Sequence, residues 1–225
     1  MTLSRLLPIA LLTVAATAPV TDWSAAPARQ TAKGAYVFGN PAARVKLIEY
    51  GSYTCPHCAV FAKESEAELK GKMIRSGGLS LEYRHLIRDP ADLGAAILAR
   101  CAGPRGFAGA HAMIFATQPV WLKKVGEYQA AHPDIDTKPP IVQARTYADA
   151  GGLTAAMRAR GLTPARINAC FADKAEVARI TAMTGDAPIE VNSTPSFYVD
   201  GTLQPPGDWN TLAPVLRAKG LKSFS

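Results

Sequence analysis

Glu49-Tyr50-Gly51-Ser52-Tyr53-Thr54-Cys55-Pro56-His57-Cys58 is the stretch on which the fold turns. Ahead of it, Val45–Tyr50 reads Val-Lys-Leu-Ile-Glu-Tyr, a β-branched and aromatic run expected to form a strand. Behind it, Cys58, Phe61, Ala62, Ser65, Leu69 and Met73 recur at steps of three or four, as on one helix face. That helix is expected to run to about Arg75 and to stop at Ser76-Gly77-Gly78. Cys55 thus stands where a strand gives way to a helix, with Pro56 at the favoured first helical position. The free N–H groups of a first turn point at that sulfur, and the helix dipole favours negative charge there. Cys55 is expected to be a stabilised thiolate, well below the usual thiol value of about 8.5. Cys58, one turn further in, is expected to be more buried.

A C-x-x-C pair also occurs in zinc sites. A structural zinc site needs four ligands, usually in two close pairs. Here Cys101 and Cys170 are far from each other and from the motif, and no close His pair exists. The spacing therefore favours a redox pair, with no metal.

The 225 residues are about half of them hydrophobic and 19% charged, which fits one globular domain with an insertion. Residues 1–28 read as a signal peptide and lead-in. Arg5 supplies the positive region, Leu6–Ala16 the apolar region, and Ala16-Thr17-Ala18 a small-x-small cleavage rule. Pro19 disfavours cleavage there, so a site nearer Ala26 or Ala28 stays open. Such an address is periplasmic or otherwise extracytoplasmic, where disulfides persist. The net charge is +7, with its lysines and arginines scattered. That pattern fits a solvated surface, and no nucleic-acid motif is present.

Along the chain, residues 29–35 read as a flexible lead-in and Tyr36–Phe38 as a short strand. Leu79–Ile87 alternates as a second long strand, so strand, helix, strand makes a βαβ unit with parallel strands. Residues 91–101 read as a helix. The chain then stays helical to about Phe171, broken at Pro119, His132–Pro140 and Gly151-Gly152. A helix is expected at Ala172–Met183. Thr194–Val199 then reads as a strand, with Asp200-Gly201 signalling a hairpin into Thr202–Leu203. Trp209–Ala218 reads as a closing helix with Trp209, Leu212, Ala213 and Leu216 inward.

Gly39–Tyr50 with Ser52–Cys58, and Thr194–Gly201 further on, resemble DsbA-like proteins of the thioredoxin superfamily. The resemblance implies an α/β thioredoxin fold over residues 29–225, with a helical insertion at about 103–171 between its βαβ and ββα halves. It implies that Cys55 is the exposed nucleophile and Cys58 the resolving cysteine. Pro56 and His57 lie between them, and the Pro-His pair is that of DsbA-type oxidases. Pro195 looks like the cis-proline facing the site, with Thr194 offering backbone bonds to an extended substrate. Glu49 falls where the family often has a buried acid below the disulfide; its strand alternation leaves its side open. His57 is read as an electrostatic partner of the Cys55 thiolate. His85, His111 and His132 are read as structural or surface residues.

Cys101 and Cys170 are expected to form a structural disulfide, as in some members of the family, rather than two free thiols. Closing a loop of that length contributes on the order of 4 kcal/mol. Thr194 departs from several oxidases, which have an aliphatic residue there, and a hydroxyl beside Cys55 is expected to retune the potential or the choice of partner. The combined expectation is an exported thiol:disulfide oxidoreductase without cofactor, acting on reduced exported proteins. By resemblance it would be reoxidised by a membrane quinone-linked oxidase, and it would work as a monomer. The alternatives are an isomerase or reductase of the same fold, or a Cu(I)-binding module.

Overall fold

Strands β3 (Val45–Gly51) and β4 (Leu79–His85) run parallel, paired from Val45 with Leu79 to Gly51 with His85. Between them run helix α1 (Pro56–Ser65) and a π-helical continuation, Glu66–Ile74. The structure is a computed structural model and describes residues 21–221. The apolar stretch read as a signal lies outside the described residues. No helix among those described is long and apolar enough to cross a membrane.

Four further strands extend the sheet. Its order is β1 (Arg29–Gln30), β2 (Tyr36–Gly39), β4, β3, β5 (Ser196–Val199) and β6 (Thr202–Leu203), antiparallel except for β3 with β4. The expected flexible lead-in at 29–35 is corrected here. Arg29 and Gln30 pair with Val37 and Tyr36, and Ala28 donates to the Pro104 carbonyl. Polar side chains hid this segment, because a two-residue edge strand is held by its backbone alone. The hairpin between β5 and β6 turns through Asp200 (φ 49°) and Gly201 (φ 81°). Two successive positive φ values suit Asp-Gly and few other pairs.

The helix expected to run unbroken to Arg75 changes its hydrogen-bond pattern at Glu66. The buried positions continue through the change as Leu69, Met73 and Ile74. They pack with Phe61, Phe197 and Trp209 in a core between the sheet and α9 (Trp209–Ala218). The buried face of α9 is Trp209, Leu212, Ala213 and Leu216, as its spacing indicates.

After β4 come α2 (Pro90–Cys101), α3 (Gly103–Ala116), α4 (Gln118–Ala131), α5 (Pro140–Ala150), α6 (Leu153–Ala159), α7 (Pro164–Ala172) and α8 (Lys174–Gly185). The break expected at Pro119 is present: α3 ends at Ala116, and Pro119 falls in the first turn of α4, where its missing N–H costs nothing. Nearly all of α2 is buried, and a second core forms around it from α3, α4, α5 and α6. Arg100 is buried on α2, where its Nε bonds Glu176 Oε1 on α8 at 2.6 Å and its Nη1 bonds the Gly34 carbonyl at 2.7 Å.

Cys101 at the end of α2 is bonded to Cys170 on α7, with Cα atoms 5.8 Å apart and a sequence separation of 69. Replacing both with Ala is expected to lower the melting temperature by about 5–12 °C, from a loss of roughly 2–4 kcal/mol. Thiol exchange at Cys55 should persist in that variant. A non-reducing melt and an exchange assay check both halves of this expectation.

Candidate active site

Cys55 is the N-cap residue of α1, with extended backbone (φ −83°, ψ 118°) and Pro56 opening the helix. No side chain caps this end, so the first-turn N–H groups are left to the sulfur. In the structure Cys55 and Cys58 are free thiols and both are buried. Cys58 is fully covered, as expected. Cys55 is not the exposed residue anticipated: only 2% of its surface is open. The chain before β5 reaches over it. Thr194-Pro195 is a cis peptide, and the Thr194 carbonyl lies 3.1 Å from Cys55 Sγ.

The two thiols are driven in opposite directions. Cys55 is lowered to about 4. The largest cause is the Cys58 thiol donating to its sulfur; burial opposes this, and a Thr194 side-chain bond and the backbone N–H groups of Cys58 and His57 add to it. Cys58 is pushed far above the thiol range, first because it is the donor in that same bond, then by burial and by the nearby Glu49. The Thr194 hydroxyl expected to retune the site therefore favours the thiolate. His57 itself is exposed, and what it brings to Cys55 is its backbone N–H.

Glu49 lies on the inward face of β3, with Val45 and Leu47, and is 3% exposed. Burial, and secondly the charge of Cys55, push its carboxyl up to about 8. The site thus pairs a stabilised thiolate with a proton-holding thiol and a carboxylic acid that is neutral near pH 7.

The loop between β3 and α1 is held by residues that sequence reasoning did not single out. The buried Asp92 accepts from the Ser52 hydroxyl at 2.6 Å, the Tyr53 N–H at 2.8 Å and the Arg88 N–H at 3.2 Å. Burial raises its carboxyl to about 7, against the pull of these bonds. Asp89 caps α2 through the Asp92 N–H and also accepts from the Thr54 hydroxyl at 2.6 Å. Gln118, at the start of α4, donates to the carbonyls of Tyr53 at 2.8 Å and Cys55 at 2.9 Å. The Asp89-Pro90 pair signals a helix cap in sequence, but nothing local signals that these side chains reach the cysteine loop. Of the three isolated histidines, His85 and His111 lie in the core below the loop, beside Tyr53 and Tyr83. His132 is exposed and stacks on Tyr128.

The sequence pattern of the thioredoxin family matches residues 31–216. A Rickettsia conorii protein named as a candidate protein-disulfide oxidoreductase is 32% identical over 169 residues, covering 73% of this chain and 53% of its own. A Rickettsia prowazekii protein of the same name matches similarly, at 32% identity over 54% of its own length. The chain therefore spans about half the length of these curated relatives. Among solved structures, a protein-disulfide isomerase from Novosphingobium aromaticivorans superposes with a TM-score of 0.75 and 32% identity, over 81% of this chain and 95% of that one. The alpha-DsbA1 of Wolbachia pipientis shares the fold, with a TM-score of 0.66 at 19% identity, over 84% and 92% of the two chains. A strand, a Cys-Pro-His-Cys helix start and a cis-proline chain facing it occupy the frame these proteins share, and this chain belongs to the thioredoxin family, with the DsbA-like form of its fold.

Proposed function

We propose that this chain is an exported thiol:disulfide oxidoreductase that mainly donates its disulfide to reduced extracytoplasmic proteins. The observation that carries the reading is the split between the two thiols, Cys55 near 4 and Cys58 far above the thiol range. A substrate thiolate attacks Cys55 of the oxidised pair. The Cys55–Cys58 bond breaks, and Cys58 leaves as a thiolate and takes the Glu49 proton. A second substrate thiolate then attacks the substrate sulfur of the mixed disulfide and expels Cys55 as a thiolate. The substrate loses two electrons and forms a disulfide; the enzyme pair gains them. Because the leaving Cys55 thiolate is stabilised, the reduced pair is favoured and its disulfide is oxidising. Thr194 and Pro195 present backbone to an extended substrate segment.

Export is supported by the Leu6–Ala16 stretch and by the Cys101–Cys170 bond, which suits an oxidising compartment. Trp23 bonds the Arg75 carbonyl through its N–H, and Asp22 pairs with Arg75. These contacts favour cleavage at Ala16-Thr17-Ala18 over a site at Ala26 or Ala28. Reoxidation falls to a membrane quinone-linked oxidase, and the working form is a monomer.

Equilibration against glutathione tests the direction. The expected potential is about −180 to −120 mV, and partial alkylation of the reduced protein should label Cys55 before Cys58. A potential near −270 mV, about that of thioredoxin, overturns the oxidase reading and favours a reductase. The likeness to the Novosphingobium isomerase supports a second reading, disulfide isomerisation, which reactivation of a scrambled-disulfide substrate tests.

A further inference from the structure

Beside the redox pair, three buried polar atoms lack a protein partner: the Tyr83 hydroxyl and both ring nitrogens of His85. Both residues are fully buried. Buried polar groups are almost always hydrogen-bonded, so three orphans in one place call for a physical account.

The sheet sets these groups in a row. Tyr83 is in register with Glu49, and His85 with Gly51, across the parallel pair of β4 and β3. Registered positions two residues apart face the same side, so Glu49, Tyr83 and His85 share the inward face. Gly51 carries no side chain, and the Tyr83 phenol fills the space above it. A Cβ there would stand 2.6 Å from the Tyr83 hydroxyl, so glycine is what lets the phenol lie across β3. Cys58, Tyr53 and Tyr83 belong to the same core cluster above this face. At the other end, the His111 ring is 4.6 Å from the Tyr83 ring, and His111 Nδ1 is 2.9 Å from the Tyr53 hydroxyl. His111 is half-buried, which makes it the end of the row open to solvent.

Ring packing accounts for part of this arrangement. Tyr83 and His85 meet edge to face at 5.2 Å, and a phenylalanine at 83 would pack as well. It does not account for the hydroxyl. Glu49 supplies the need. Its carboxyl is buried, and in the proposed exchange each opening or closing of the disulfide moves a proton between it and Cys58. A carboxyl so placed exchanges protons with solvent only through other polar groups.

We propose that Tyr83 and His85 are positioning residues that hold internal water between Glu49 and the Tyr53 hydroxyl, and that protons pass between Glu49 and solvent by way of this water, the Tyr83 and Tyr53 hydroxyls and His111. The inference rests on the proposed function only in taking Glu49 as the acid that serves Cys58. When the disulfide opens, the Glu49 carboxyl gives its proton to the Cys58 thiolate. The Glu49 carboxylate then takes one proton from the row. Each hydroxyl gives one proton and receives one, and the last comes from water at His111. No group in the row keeps a changed charge, and no electron moves along it.

The charged and titratable groups facing the row are Glu49 on β3, Tyr53 in the loop, Cys55 and Cys58 on α1, Lys70 on the π-helical segment, Asp92 and Arg100 on α2 and His111 on α3. Burial, Arg100 and His111 hold His85 well below its usual range, and burial with Lys70 lowers His111 to about 3. Both imidazoles stay neutral at working pH, each with one donor and one acceptor nitrogen, as a relay needs.

Tyr83→Phe removes the hydroxyl and keeps the ring. Two readouts are taken on the full chain: the Glu49 titration by carbon NMR of labelled carboxyl groups, and the pH profile of disulfide opening by a model dithiol. The hydroxyl and its water stabilise the Glu49 carboxylate, so its midpoint, about 8 in the wild type, should rise by about one pH unit. Opening at pH 7 should slow several-fold while the melting temperature holds. His111→Phe, at the solvent end, should slow opening and leave the Glu49 midpoint in place. A wild-type midpoint and wild-type rate in Tyr83→Phe overturn the inference. A wild type that exchanges no thiols overturns the proposed function instead, and the Glu49 midpoint in Tyr83→Phe still decides the inference.

Discussion

Opening the Cys55–Cys58 disulfide is expected to raise the melting temperature at pH 7 by about 4–10 °C. The physical basis is linkage. The folded protein lowers Cys55 to about 4, against about 8.5 in the unfolded chain, so the thiolate is favoured by folding. The gap corresponds to about 4 kcal/mol at pH 7. The disulfide closes only the short Cys55–Cys58 loop, whose chain entropy offsets about 2 kcal/mol of this and leaves about 2 kcal/mol in favour of the reduced form. The sign with pH follows from the lowered value. The contribution is complete above the unfolded thiol value near 8.5, shrinks as the pH falls and is gone below about 4. Paired melts of oxidised and reduced protein at pH 4, 7 and 8.5 read it directly. A reduced form that is less stable at pH 7, or a gap that does not widen from pH 4 to 8.5, would sink the account of Cys55. Thr194→Val should narrow the gap at pH 7, since the side-chain bond it removes favours the thiolate.

Glu49→Gln should separate stability from turnover. Burial is the larger reason that this carboxyl stands at about 8, so the folded protein penalises its ionisation even when Cys55 is tied up in the disulfide. The raised value sets the sign. The stability associated with the neutral acid is fully present below about 4.5 and is lost as the pH rises through 8. The oxidised wild type should therefore lose a few kcal/mol between pH 5 and pH 8. Oxidised Glu49→Gln should lose much less and be the more stable of the two at pH 8. The same substitution removes the proton source for the leaving Cys58, so disulfide opening should slow roughly 100-fold, in the range of general acid catalysis. Melts at the two pH values and stopped-flow opening rates test the two halves separately. A Gln variant that opens at the wild-type rate would remove Glu49 from the chemistry, whatever its stability.

What could be read from the sequence was local. A β-branched run, a cysteine, then Pro56 and an apolar stripe define a strand-to-helix junction, because dihedral preference and periodicity act between near neighbours. The same holds for the Asp200-Gly201 turn and for the inward face of α9. Local reading was weakest where a backbone pairs without help from its side chains, as at Arg29–Gln30, and where a helix changes its bonding, as at Glu66. The cysteine pair also has a local component, since the N–H groups that favour the Cys55 thiolate belong to the next turn.

Tertiary structure decided which groups surround that pair. Thr194 reaches Cys55 from 139 positions away, Gln118 from 63, and Asp92 reaches Ser52 from 40. No period or spacing encodes such a meeting, because it depends on how the parallel pair β3–β4 places α2 and the later helices around one loop. Glu49 shows the boundary most clearly. Its position six residues before Cys55 is plain in the chain, but alternation along a short strand allows either side. Packing α1 on one face of the sheet turned Glu49 inward with Val45 and Leu47, and burial there made an ordinary carboxylate an acid that stays protonated near neutral pH.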